Sequence, residues 1–172
     1  TSYQYEPGST MKIFSFMAAI EEGIYHGDEM FDSGSIVLKD GTKISDFNQV
    51  GWGSINYDTG FFFFFNVAAT KLGLALGVEK LKDFYLRCGF GSTTGITLPA
   101  ESSGVVNFNY ESELANASFG QGMTVTPIQM LQALSSLANN GMMVKPYIVS
   151  KIVNSNGQVS FEGTREEVGR VA

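Results

Sequence analysis

An α+β fold, mostly helical with short β-hairpins, is what this 172-residue sequence predicts, and three observations predict it. The run Ile13 to Ile20 is apolar everywhere except Ser15, the composition of a helix buried inside a domain. Thr126-Pro127-Ile128-Gln129 places a threonine cap, a proline at the first helical position and a glutamine at the third, which together mark a helix start. Asp40-Gly41 and Asn156-Gly157 each separate two β-prone runs, the pattern of a tight hairpin.

The length suits one domain with a sizeable core. With 44% hydrophobic and 16% charged residues, the composition is that of a globular chain of low surface charge. A net charge of −6 argues against nucleic acid as a partner, because phosphate binding requires a basic face. No apolar run is long enough to span a bilayer and no signal peptide is visible, so any membrane attachment is expected outside these residues. Cys88 and His26 are the only residues of their types, which argues against a disulfide, a zinc site and a Ser-His-Asp mechanism. A serine enzyme of this composition would use lysine as its base.

Taken in order, Pro7 and Gly8 punctuate the chain, Ser9 or Thr10 can cap the first helix, and Gly23 can end it. Ser9 and Lys12 are three residues apart and share one face of the first turn, within reach of each other. A buried ammonium there costs several kcal/mol unless it is paired or loses its proton. Either outcome suits a base beside a nucleophile.

Gly23 to Gly34 is polar and turn-rich, and His26 falls in that loop. Ser35 to Leu38 and Thr42 to Ile44 flank the first hairpin turn, and Phe47 to Gly60 reads as loop with Trp52 packed beneath it. Periodicity cannot assign the uniform run Phe61 to Phe65, whose bulk demands burial or a partner surface. Helices are expected from Val67 to Leu74 and from Val78 to Cys88, the latter with Leu81, Phe84, Tyr85 and Cys88 inward and Gly89 as its stop. Gly89 to Glu113 reads as a long loop. The helix from Thr126 should carry its apolar stripe on Ile128, Leu131, Leu134 and Leu137 and end at Asn140-Gly141. Pro146 to Val153 and Gln158 to Glu162 form the last expected hairpin, and Gly163 to Ala172 ends the chain without a core element.

A bare S-x-x-K appears by chance in roughly half of chains this long. Its frame is far more specific: Tyr5 to Lys12 resembles the active-serine signature of class B penicillin-binding proteins, the cell-wall D,D-transpeptidases. Ser33-Gly34-Ser35-Ile36, Asn66-Val67-Ala68, Gly89 to Pro99 and Phe119 to Gly141 extend the resemblance over nearly the whole chain. Such enzymes assemble S-x-x-K, S-x-N and K-[ST]-G into one site. Here the second motif reads Phe64-Phe65-Asn66, so the asparagine matches and phenylalanine stands in place of the serine. Ser54-Ile55-Asn56 fits the S-x-N pattern but lies in the loop before the expected helix and reads as coincidence. No K-[ST]-G occurs, and Lys39-Asp40-Gly41, the nearest string, precedes the second motif.

The resemblance implies that residues 1–172 are a partial transpeptidase domain of the β-lactamase/transpeptidase-like fold, mainly its helical lobe. It implies Ser9 as nucleophile, Lys12 as general base and Asn66 as a substrate-holding residue, with Gln121 and Gly122 at the substrate and Phe64 at an altered motif position. It implies no metal or organic cofactor, peptidoglycan stem peptides and β-lactams as ligands, and cell-division proteins as partners through other regions. The implied location is the outer face of a bacterial cell membrane. The chain by itself is expected to be inactive. Two alternatives remain open at this point: a serine β-lactamase or β-lactam sensor, and a non-catalytic homologue that binds cell-wall or division partners through its Phe-rich surface.

Overall fold

The computed structural model describes residues 1–171. They form two compact units, one made of Tyr5–Tyr85 and Val106–Thr124, the other of Thr1–Gln4, Leu86–Val105 and the chain from Val125 onward.

In the first unit a 3₁₀ turn, Gly8–Met11, runs directly into α1 (Lys12–Glu21). Neither Ser9 nor Thr10 caps the helix, contrary to expectation; the Thr10 hydroxyl instead donates back to the Pro7 carbonyl at 2.7 Å. Phe14, Phe16, Ala18 and Ala19 are buried, as their apolar run predicts. Two antiparallel ribbons follow, β1 (Met30–Asp32) with β4 (Ser54–Asn56), and β2 (Ser35–Val37) with β3 (Lys43–Ser45) around the expected Asp40-Gly41 turn.

The stretch expected as loop from Phe47 to Gly60 therefore holds a strand and the start of α2 (Tyr57–Phe62). Asn56 caps that helix by accepting from the Thr59 N–H at 2.9 Å. Trp52 is not tucked beneath a loop. It is 47% exposed and stacks on Phe65 with ring centroids 4.6 Å apart, and on Phe63 at 6.1 Å. The phenylalanine run divides by geometry: Phe61 and Phe62 finish α2, and the next three residues turn the chain into α3 (Asn66–Leu76), with only Phe65 buried.

α4 (Val78–Arg87) buries the expected face of Leu81, Phe84 and Tyr85, and Cys88 is buried just beyond it. The expected long loop is interrupted at its end by α5 (Glu111–Ala117), started by Glu113, whose carboxylate accepts the Asn109 N–H at 2.7 Å. A buried polar network joins α1, α4 and α5. Ser15 Oγ donates to the Ser118 carbonyl at 2.6 Å and lies 2.7 Å from the Tyr85 hydroxyl, which donates to the Ala117 carbonyl at 3.0 Å. Fully satisfied networks of this kind fix how helices meet.

In the second unit α6 (Pro127–Ala138) has the cap its sequence announces: the Thr126 hydroxyl accepts from the Gln129 N–H at 3.3 Å and Gln129 Oε1 accepts from the Thr126 N–H at 2.8 Å. Its buried face is not the expected leucine stripe. Gln129, Met130, Gln132, Ala133 and Ser136 are buried, whereas Leu131 and Leu137 are 63% and 45% exposed. Hydrogen bonding turns the helix this way. Gln129 Nε2 donates to the Ser92 and Ser103 carbonyls at 2.6 Å each, pinning the long loop, and Gln132 Nε2 donates to the Val144 carbonyl at 2.9 Å.

β5 (Met142–Val144) follows, then β6 (Lys151–Val153) paired with β7 (Val159–Glu162) in the expected hairpin, whose first strand is shorter than Pro146 to Val153. The segment expected to end without a core element instead forms β8 (Glu167–Arg170), antiparallel to β5, and Val171 is fully buried. Ala172 lies outside the described residues. No helix among the described residues is long and apolar enough to cross a membrane.

Candidate active site

The site begins with the 3₁₀ turn. Three residues per turn place side chains i and i+3 one above the other, and Lys12 Nζ donates to Ser9 Oγ at 3.1 Å. Ser9 is exposed, while Lys12 is only 2% exposed. The hydroxyl thus faces solvent and its amine partner faces the core. Lys12 Nζ also donates to the main-chain carbonyl of Phe64, and the Phe64 ring lies 5.9 Å from the nitrogen. Burial lowers the Lys12 pKa from 10.5 to about 8, and the negative charge of Asp46 partly opposes that fall. About a tenth of the amine is therefore neutral at pH 7, ready to accept a proton from the hydroxyl beside it.

Phe64 owes its place to the turn between α2 and α3. It adopts a left-handed backbone, φ 56°, after its N–H donates to the Phe61 carbonyl at 3.0 Å. A non-glycine residue in this region costs about 1–2 kcal/mol, and such strain is held in place by the surrounding structure. Phenylalanine cannot relay a proton. Its carbonyl nevertheless holds the lysine.

Asn66 is half-buried and its Nδ2 donates to the Ser45 carbonyl at 2.9 Å. With Gln121, Asn116, Phe119, Thr42 and the β3 residues 43–45, it lines a recess of about 260 Å³. Gly122 does not line that recess; its N–H donates to Glu6 Oε1 at 3.0 Å, just before the serine turn. Two residues away on each side, the Gly8 N–H donates to the Gly120 carbonyl at 2.9 Å, so segments 6–8 and 120–122 are laced together. Of the residues singled out in the sequence, Ser9, Lys12 and Phe64 converge at one point, and Asn66 and Gln121 share the recess.

Ser54 and Asn56 are taken up by β4 and by the cap of α2. Lys39-Asp40-Gly41 is an exposed hairpin turn, with Lys39 paired to Glu111 at 2.9 Å. Sequence reasoning missed Asp46, a buried carboxylate at the end of β3. The signal available was the absence of any capping residue before α3, where Phe65 occupies the cap position without a capping side chain. An uncapped helix start inside a domain calls for a donor-accepting group from elsewhere.

The model of the penicillin-binding protein transpeptidase domain matches residues 1–170, and the chain belongs to that family. Its relatives are of the class B type. It is 36% identical over 156 residues to stage V sporulation protein D of Bacillus subtilis, covering 87% of this chain and 24% of that protein. It is 31% identical over 174 residues to penicillin-binding protein PbpB of Mycobacterium tuberculosis, covering 97% of this chain and 25% of that protein. The chain thus spans about a quarter of the length of these curated relatives.

Among solved structures, penicillin-binding protein 3 of Mycobacterium tuberculosis superposes with a TM-score of 0.86 at 34% identity, over 99% of this chain and 39% of that one. The same protein has been solved with ampicillin. Penicillin-binding protein 2X of Streptococcus thermophilus gives 0.90 at 32% identity, over 99% of this chain and 25% of that one. The α+β expectation, in its transpeptidase-like form, holds.

Proposed function

We propose that this chain is part of a peptidoglycan D,D-transpeptidase that forms an acyl-enzyme on Ser9. One observation carries the reading: a buried lysine amine with its pKa lowered to about 8 sits 3.1 Å from an exposed serine hydroxyl. Ser9 Oγ attacks the carbonyl carbon of the penultimate D-Ala while its proton passes to Lys12. The tetrahedral intermediate collapses, the C–N bond breaks, and the terminal D-Ala leaves with the proton from Lys12. An acceptor amine then attacks the ester, gives its proton back through Lys12 and frees Ser9. The Ser9 N–H forms half of the oxyanion hole, and the other half comes from a strand outside these residues. Asn66 and Gln121 hold the stem peptide in their recess, and the Gly122 bond to Glu6 ties the 120–122 segment to the chain just before Ser9.

β-Lactams enter by the same acylation, a reading supported by the ampicillin complex of the mycobacterial relative. Residues 1–172 are one portion of a domain completed by flanking sequence, on the outer face of the cell membrane, with division-protein contacts carried elsewhere. The similarity to penicillin-binding proteins over most of the chain favours this reading over a β-lactamase. The test is labelling of the full-length protein by a fluorescent penicillin. Ser9→Ala should lose the label entirely, and a variant that keeps it would remove Ser9 as nucleophile.

Phe64 favours a second reading, in which acylation outpaces transfer because no hydroxyl stands where the family's relay serine would be. Phe64→Ser in the full-length protein should raise cross-linking by about a hundredfold, the lower end for a positioned proton-transfer group. Equal cross-linking by the two proteins would show that the aromatic residue limits nothing.

A further inference from the structure

Asp46 is 2% exposed, and its two carboxylate oxygens both accept main-chain N–H groups: Oδ1 from Val67 at 3.0 Å and Oδ2 from Gly34 at 2.7 Å. Its own N–H returns a bond to the Gly34 carbonyl at 2.8 Å, so the residue is anchored to the strand pair on one side and reaches α3 with the other. The neighbouring Ser45 carbonyl accepts from Asn66 Nδ2. Two successive residues at the end of β3 thereby grip two successive residues at the start of α3. A carboxylate at an uncapped helix N-terminus is favoured both by its hydrogen bonds and by the helix dipole. The gripped residues begin two positions after Phe64, whose carbonyl holds Lys12.

We propose that Asp46 is a positioning residue of this site: by holding Val67 it fixes the turn so that the Phe64 carbonyl keeps Lys12 against Ser9 and Asn66 stays at the recess. The proposal rests on the acyl-enzyme reading for its effect on rate. Asp46 touches no reacting atom and acts through Lys12 and Asn66. The polar surroundings of Lys12 are the Ser9 hydroxyl from its own turn, the Phe64 carbonyl from the α2–α3 turn, and the Asp46 charge from the end of β3.

Asp46→Asn offers one acceptor oxygen where two are used, and presents its NH₂ to a donor N–H. Misplacement of the turn by a fraction of an ångström should slow penicillin acylation of the full-length protein by about ten- to a hundredfold, corrected for folded fraction. The pH midpoint of acylation should also move down, because the negative charge that favours protonated Lys12 is gone. Asp46→Glu keeps the charge but displaces it, so its rate should fall while its midpoint stays. A wild-type rate and midpoint in Asp46→Asn would overturn the proposal, as would a loss that follows the unfolded fraction with the midpoint unmoved. Should Asp46→Asn not fold, a wild-type rate in folded Asp46→Glu would overturn it alone.

A native protein that takes no label on Ser9 would defeat the acyl-enzyme reading instead. The ¹³C NMR titration of the Lys12 side chain then decides the positioning role separately, an unchanged titration in whichever of the two variants folds counting against it.

Discussion

Replacing Lys12 by methionine should reduce acylation by about a thousandfold or more, and should at the same time make the fold more stable at neutral pH. Under the proposed acyl-enzyme route, the activity loss follows from removing the amine that sits 3.1 Å from Ser9 Oγ. The stability gain follows from linkage. The Lys12 pKa is lowered on folding from 10.5 to about 8, so between those values the unfolded chain binds more protons than the folded one. Stability therefore rises with pH through that window. Below about pH 8 the penalty is fully present, on the order of 3 kcal/mol.

Methionine fills a similar volume without a charge, although the Phe64 carbonyl then loses its donor at a cost of about 1–2 kcal/mol. The net expected gain is roughly 1–2 kcal/mol at pH 7. Urea unfolding at pH 7 and pH 9.5 measures both the gain and the slope. A Lys12→Met protein that is less stable than the parent at pH 7, or that keeps the parent's rise in stability with pH, would show that the amine carries no burial penalty.

Gly120→Ala should be the most damaging small substitution near the site. A Cβ at Gly120 would lie 2.1 Å from the Gly8 carbonyl oxygen and 2.6 Å from the Gly8 nitrogen, and φ there is +82°. The obstacle is main chain held in the Ser9 turn, so no side-chain rotation relieves it. The left-handed backbone and the clash together should cost about 2–5 kcal/mol. Any relief must come from moving Gly8, which carries the adjacent Ser9 with it, and penicillin labelling should be lost along with stability.

Gly77→Ala supplies the control. Its φ is +81° and nothing lies within 4 Å of the added carbon, so it should lose only about 1–2 kcal/mol. Equal urea midpoints for the two variants would mean that the close approach of segments 8 and 120 is not tight.

Much of this was legible in the sequence, and the failures share a cause. The run Ile13 to Ile20, the Asp40-Gly41 turn, the inner face of α4 and the Thr126 cap each depend on neighbours in the chain, and each formed as its residues dictate. So did the contact between Ser9 and Lys12, which one turn of helix guarantees. The exposed Leu131 and Leu137 show the limit: two buried glutamines claimed the inner face of α6 because carbonyls of the long loop and of β5 needed donors, a demand that no periodicity records. β8 went unrecognised for a related reason, since its polar residues form a strand only by pairing with β5. Asp46 is the same lesson at the site, its two acceptors used by N–H groups at positions 34 and 67.

Trp52 is the single indole in these 172 residues, and it stacks on Phe65, the residue between the Lys12-holding carbonyl of Phe64 and Asn66. Nature has thereby placed an optical reporter on the segment that sets the lysine. Its emission responds to the packing and wetting of that ring stack, so order in the turn can be followed by fluorescence in the absence of substrate, antibiotic or label.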